Sequence, residues 1–188
     1  MACVIAAPSS GSGKTTLCLL LASWARSQRK NIQTFKVGPD YLDPKQLTAI
    51  TQKPCRNLDL ILCGEEWVKN CFFNHSNKAD LVFVEGVMGL FDGLGSSQKG
   101  STSELANLLN LEIILVINAK GQAASIQALV KGFIELKKEL TIAGVVLNNV
   151  NTERHKILLT ESLQQINVKV LGCLPTKQEL NLSSNYLG

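Results

Sequence analysis

Ala2-Cys-Val-Ile-Ala-Ala7 runs uncharged into Pro8-Ser-Ser-Gly-Ser-Gly-Lys-Thr-Thr16, and an apolar repeat at Leu17, Leu20, Leu21, Trp24 and Ala25 follows at once. The short apolar run reads as a strand buried on both faces, and the three- and four-residue steps read as a helix. The junction is a phosphate loop of the pattern G-x-x-x-x-G-K-[ST] with one departure, Pro8 in place of the first glycine. Proline has no backbone N–H, so the cradle is expected from the amides of Gly11, Ser12, Gly13, Lys14, Thr15 and Thr16. Lys14 is expected to bridge β- and γ-phosphate oxygens, and the Thr15 hydroxyl to ligate Mg²⁺. The plainer reading, a Ser- and Gly-rich turn that only starts a helix, does not need Gly-Lys-Thr-Thr at this junction. The loop therefore predicts nucleoside triphosphate binding.

Outward from this unit, short apolar runs recur at 32–37, 81–84, 112–117, 142–147 and 168–171, with helical patterns at 14–30 and 122–140 between them. Ser101 and Glu104 form a capping box opening a helix at Thr102–Leu109, and Thr152 can cap another running to about Ile166. Strand and helix alternate through the chain, which predicts an α/β fold of the P-loop NTPase kind. Its sheet is expected to be doubly wound and mostly parallel, with helices on both faces. Segment 38–80 reads as the least regular stretch, an insertion beside the strand C-termini. At 188 residues with 45% apolar and 18% charged residues, the chain is long and apolar enough for one globular core. A net charge of +4 is too small to mark a nucleic-acid binder and suits an anionic small substrate. No apolar run approaches the roughly 20 residues of a membrane span, and the N-terminus lacks the charged region of a secretory signal. The six cysteines form no C-x-x-C pair, and with two histidines they offer no metal-ligand spacing. Reduced thiols and a cytoplasmic location are expected.

Carboxylates gather at the predicted strand ends. Lys36-Val-Gly-Pro-Asp-Tyr-Leu-Asp-Pro44 closes the second strand, and Lys36 there could neutralise phosphate or a developing acyl phosphate. Asp40 and Asp43 lie three apart in a Pro-bounded turn, so they could share a cation or flank a substrate group. Asp43 before Pro44 is also an ordinary helix cap; Asp40 has less excuse as turn chemistry. The strand Leu81-Val-Phe-Val84 delivers Glu85 in the manner of a Walker B acid, which makes it a Mg²⁺ candidate. Asp92 is a second acid on the following glycine-rich loop, with a solvated loop aspartate as the alternative. Asn148 follows the 142–147 strand, and its paired donor and acceptor suit an adenine edge as well as they suit a turn. Arg154-His155-Lys156 reads as a solvated helix face.

Taken together, the strings Ala7–Thr16, Lys36–Pro44, Val84-Glu-Gly-Val-Met-Gly-Leu-Phe-Asp-Gly93 and Leu147-Asn-Asn-Val-Asn-Thr-Glu-Arg-His155 resemble the synthetase domain of the cobyrinate a,c-diamide synthase family. Dethiobiotin synthetase and cobyric acid synthase are broader relatives. The resemblance covers nearly the whole chain, in order. It implies an ATP- and Mg²⁺-dependent amidoligase of cobalamin biosynthesis that phosphorylates the c- and then the a-side-chain carboxylate of a corrin ring. Ammonia then attacks each acyl phosphate. By position it implies phosphate and metal roles for Lys14, Thr15 and Glu85, with Asp40 as a further metal ligand. Asp40, Tyr41, Leu42, Asp43 and Asp92 would line the corrinoid side and orient the carboxylate and the ammonia. Lys14, Lys36, Asp40, Asp43 and Asp92 are the catalytic candidates.

The resemblance also implies a division into an ATP-binding amidoligase domain over 1–175 and a linker over 176–188, leading toward a class I glutamine amidotransferase domain. No cysteine here sits in a nucleophile context, so free ammonia, another polypeptide or a missing glutamine amidotransferase domain is the expected ammonia source. The expected partners are a corrinoid polycarboxylate and that ammonia source, with no nucleic acid and no membrane, and a homodimer is left open. Two alternatives stand beside this. One is the same chemistry on another tetrapyrrole such as nickel-sirohydrochlorin. The other is a partition-type ATPase, disfavoured because those proteins carry an extra lysine where this chain has Pro8-Ser9-Ser10.

Overall fold

The computed structural model describes residues 1–176, so the expected linker over 176–188 lies almost wholly outside the described residues. Seven strands form one sheet: β1 (Ala2–Ala6), β2 (Ile32–Val37), β3 (Arg56–Leu58), β4 (Leu81–Glu85), β5 (Glu112–Asn118), β6 (Ile142–Asn148) and β7 (Val170–Leu174). The helices are α1 (Lys14–Ser27), α2 (Leu42–Thr51), α3 (Glu65–Ser76), α4 (Thr102–Leu108), α5 (Ile126–Leu136) and α6 (Glu153–Gln164). The strand order is β3-β2-β4-β1-β5-β6-β7, and every pairing is parallel.

Side-chain alternation sorts the sheet into two faces. Val4, Ala6, Phe35, Val37, Val82 and Val84 pack with Val68 and Phe72 of α3, Leu105 of α4, Val130 of α5 and Leu159 of α6. Their neighbours Ile5, Ala7, Ile32 and Phe83 point the other way, onto Leu17, Cys18, Ala22 and Ala25 of α1 and Leu47 of α2. Helices therefore cover both faces, which is why the strands read as continuous apolar runs.

The stretch 38–80 differs from expectation: it holds α2, β3 and α3, a full extension of the sheet. β3 has only three residues, with Arg56 exposed, so its apolar signature is one buried residue, Leu58. The last strand falls at Val170–Leu174 rather than 168–171, where Gly172 masks its apolar continuity. α5 is shorter than the 122–140 pattern, because Ala123–Ser125 form a turn ahead of it and Leu140 packs from the following loop. Both predicted caps are present. Ser101 accepts from the Glu104 amide and Thr152 from the His155 amide, while the Glu104 carboxylate reaches back to the Gly100 amide, one residue earlier than a standard box.

Candidate active site

Register places the chemistry. Glu85 pairs with Ile5 on one side and Lys36 on the other, and Lys36 pairs with Asn57. Ile5, Glu85, Lys36 and Asn57 thus form one row across β1, β4, β2 and β3. By alternation the row faces α1 and α2, at the strand ends from which the phosphate loop also leaves. In an open α/β sheet this is the edge where ligands bind.

The loop is pre-shaped. The Ser12 hydroxyl donates to Ser9 O at 2.9 Å, and Gly11 and Gly13 take φ of +73° and +105°. A Cβ on Gly13 would collide with the Asn148 side chain, so glycine is required there on two counts. Asn148 donates from its amide nitrogen to Ser12 O at 3.0 Å and accepts the Asn149 amide at 3.0 Å. One N–H and one lone pair of its carboxamide are used within the protein, and through the first of these it braces the phosphate loop from β6. Lys14 is buried, and its ammonium donates to Ser9 O at 3.2 Å and Met88 O at 2.5 Å. Burial, reinforced by nearby Lys36, pulls its pKa down to about 8.

Beneath the loop lies a buried charge cluster. Lys36 Nζ lies 2.6 Å from Asp43 Oδ2, 3.1 Å from Glu85 Oε1 and 3.7 Å from Asp40 Oδ2, and it also donates to Gly86 O at 3.2 Å. Burial alone would weaken the Lys36 ammonium, but Glu85 and Asp43 overcome it and hold the pKa above its ordinary value. Asp43, likewise resisted by burial, is drawn below the usual carboxylate range by Lys36. Glu85 Oε1 also accepts from the Thr15 hydroxyl at 2.5 Å. Its Oε2 is buried with no partner, and burial outweighs the pull of Lys36 to raise its pKa to about 7.

That shift sets a sign. The Glu85 carboxyl is raised from 4.5 to about 7 in the folded chain. Its contribution to stability is therefore fully present below the unfolded value and is lost as pH rises through the folded one. The urea midpoint of the native chain should fall relative to that of Glu85→Gln between about pH 5 and pH 8. Parallel profiles for the two chains would contradict this assignment.

The acidic turn works differently from expectation in one respect. Asp40, not Asp43, caps α2: its Oδ1 accepts the Leu42 and Asp43 amides at 2.9 and 3.2 Å. Asp40 Oδ2 remains toward Lys36, and Asp43, in the first helical turn, turns wholly to Lys36. Leu42 opens α2 half-buried, while Tyr41 is exposed, with the Lys45 ammonium 4.1 Å above its ring. Asp92 is exposed, and its Oδ2 accepts the Gly89 amide at 2.8 Å on the loop that gives Met88 O to Lys14.

Lys14, Thr15, Lys36, Asp40, Asp43 and Glu85 are thus brought together, and Asp92 reaches the same rim. Two supporting residues escape a reading of the sequence. Thr102 Oγ1 accepts the Val87 amide at 3.0 Å and donates to Val87 O at 3.2 Å, fixing the loop after β4. Asn57 holds the acidic turn through Gly38 O and Asp40 O. A polar residue beside a buried leucine in so short a strand carries no motif.

Among the described residues no three His, Cys, Asp or Glu side chains form a metal cage. A P-loop magnesium needs none, because it takes most of its ligands from phosphate and water. The residues present fit such an ion: Glu85 Oε2 is an orphaned buried acceptor beside the Thr15 hydroxyl, and three carboxylates face one ammonium.

Comparisons with known proteins agree on the family. The model for the CobQ/CobB/MinD/ParA nucleotide binding domain matches residues 3–186. Cobyrinate a,c-diamide synthase of a Synechococcus species is 44% identical across 100% of this chain and 41% of its own length. The enzyme of that name from Caldanaerobacter subterraneus is 42% identical over 98% of this chain and 41% of its own. Hydrogenobyrinate a,c-diamide synthase of Streptomyces coelicolor is 42% identical over 98% of this chain and 38% of its own. The chain spans about two fifths of the length of these relatives. Among solved structures, the cell division protein FtsY of Thermotoga maritima superposes with a TM-score of 0.62 at 16% identity, over 94% of this chain and 62% of its own. A nucleotide-binding protein of Archaeoglobus fulgidus in complex with ADP gives 0.55 at 13% identity, over 95% of this chain and 83% of its own. At those identities the likeness is one of fold.

Proposed function

Because this chain belongs to the family of CobQ/CobB/MinD/ParA nucleotide binding domains, we propose that it is the ATP-using part of a cobyrinate a,c-diamide synthase. In this reading it amidates the a- and c-side-chain carboxylates of a corrinoid through acyl phosphates, with ammonia from free solution or a glutaminase. The observation that carries the reading is the buried row of Glu85 and Lys36 under the phosphate loop, with Asp40 and Asp43 closing over it. The relatives' names, cobyrinate and hydrogenobyrinate a,c-diamide synthases, support a corrinoid ring as the acceptor.

A carboxylate is a poor electrophile until one oxygen is joined to phosphate in a mixed anhydride, the acyl phosphate. In-line transfer then needs positioning and charge neutralisation more than a protein nucleophile. The amides of Gly11 to Thr16 hold the β- and γ-phosphates, and Lys14 leaves its two carbonyl partners for phosphate oxygens. Thr15 and Glu85 would hold Mg²⁺, with Asp40 a further candidate ligand, and the ion would screen charge on the transferring group. Lys36 neutralises the acceptor carboxylate as it approaches. Asp40 and Asp43 fix the direction of that ammonium and offer acceptors to an incoming ammonia, while Tyr41, Leu42 and Asp92 form the rim for the ring. Asn148 serves the nucleotide through the loop it braces.

ADP formation should depend on both cobyrinate and ammonia, and ATP turnover indifferent to the corrinoid would refute the reading. Asp40→Asn retains an Oδ1 acceptor for the α2 cap but removes charge facing Lys36. It should leave ATP affinity within about twofold while lowering amidation by about 10–100-fold, the scale of a displaced reacting group. Binding and single-turnover measurements separate the two. Loss of ATP affinity would move Asp40 into the nucleotide site.

A further inference from the structure

Asn57 stands at the end of the polar row, paired in register with Lys36 on the outermost strand, β3. Its side-chain nitrogen donates to two backbone carbonyls of the acidic turn, Gly38 O at 2.8 Å and Asp40 O at 2.7 Å. Both partners are acceptors only, so the carboxamide has one usable orientation here. The backbone ladder ends just before, with Gly38 N donating to Leu58 O at 3.0 Å. Gly38 then takes φ of +78° and the chain leaves the sheet.

Asn57 therefore continues the β2–β3 pairing by side chain where the backbone can no longer do so. What it holds is the segment whose Asp40 caps α2 and whose Asp43 meets Lys36 at 2.6 Å. It touches neither the phosphate loop nor Lys36 through any hydrogen bond among the described residues.

We infer that Asn57 is the positioning residue of the acceptor side of the site: it locks residues 38–43 so that Asp40 and Asp43 stay aimed at Lys36. This rests on the functional reading above for the identity of the acceptor, but the lock itself is a property of the turn. An asparagine is specified because the two carbonyls need two N–H donors from one short side chain. An aspartate of the same shape would set a carboxylate against both carbonyls, and serine could satisfy only one of them.

The test compares Asn57→Ala, Asn57→Ser and Asn57→Asp with the native chain by amide hydrogen exchange, ATP-analogue affinity and corrinoid-dependent ADP formation. Exchange at the Leu42 and Asp43 amides, both bonded to Asp40 Oδ1, should accelerate in the order Ser, Ala, Asp. Acceptor-dependent turnover should fall in the same order, by about 10–100-fold for alanine. Nucleotide affinity should stay within about twofold, a split that general destabilisation of the fold would not produce. Unchanged exchange at Leu42 and Asp43, an aspartate variant equal to the native chain, or nucleotide affinity falling in parallel with turnover would each overturn the inference. Absence of corrinoid-dependent turnover in the native chain would count against the functional reading instead, and exchange alone would then decide the role of Asn57.

Discussion

Lys36→Met should destabilise the protein by about 3–5 kcal/mol, the cost of removing one partner from a buried ion pair. The Lys36 side chain is 4% exposed and Glu85 is fully buried, so the carboxylates left behind have no water to turn to. Asp43 and Asp40, partly exposed, suffer less. The residual cost is greatest at Glu85, which would escape it by taking up a proton. Its pKa, already about 7, should climb further. The destabilisation should therefore be larger near pH 8 than near pH 5. Adding Glu85→Gln should recover part of the loss, because a neutral amide beside methionine leaves no fully buried charge without a partner, Asp40 and Asp43 being partly exposed. Denaturant titrations of the two single variants and the double variant measure this directly. Additive losses would show that Lys36 and Glu85 do not act as a pair.

Lys14→Ala should have the opposite character, a large functional loss on an intact fold. The Lys14 ammonium is desolvated, weakened to about 8 and repelled by Lys36, and its partners are two loop carbonyls. Its removal should leave melting unchanged or slightly raised, as expected where a site keeps a strained charge for function. Nucleotide-dependent turnover should fall by about 10²–10³-fold or more, the scale for loss of one preorganised charge donor. Unfolding curves and ATP turnover on the same preparation separate the two effects. Native turnover in this variant would refute the phosphate assignment.

The phosphate loop, Glu85 and the acidic turn were legible because each is a local string, with strand, turn and glycine or acid in fixed order. The fold class followed from the alternation of buried runs and helices. The β3 strand was not legible: with one buried residue it has no periodicity, and its pairing with β2 is a long-range event. The same limit hid Asn57 and Thr102, whose partners are backbone carbonyls and amides on other elements. Spacing could name Asp40 and Asp43 but could not divide their work. That Asp40 caps α2 while Asp43 meets Lys36 depends on where α2 begins. Asn148 was visible as a strand-end asparagine, yet its contact with Ser12 lies 136 residues away along the chain.

The proposed activation of a carboxylate by phosphoryl transfer can be followed through its oxygens. Cobyrinate carrying heavy oxygen in its a- and c-carboxylates, turned over with ATP, Mg²⁺ and ammonia, tests it at the level of atoms. Attack of the carboxylate on the γ-phosphorus moves one labelled oxygen into the acyl phosphate bridge, and displacement by ammonia leaves that oxygen on inorganic phosphate. Label should appear in the released phosphate in step with amide formed. Unlabelled phosphate accompanying amide formation, or phosphate release with no amide at all, would contradict it.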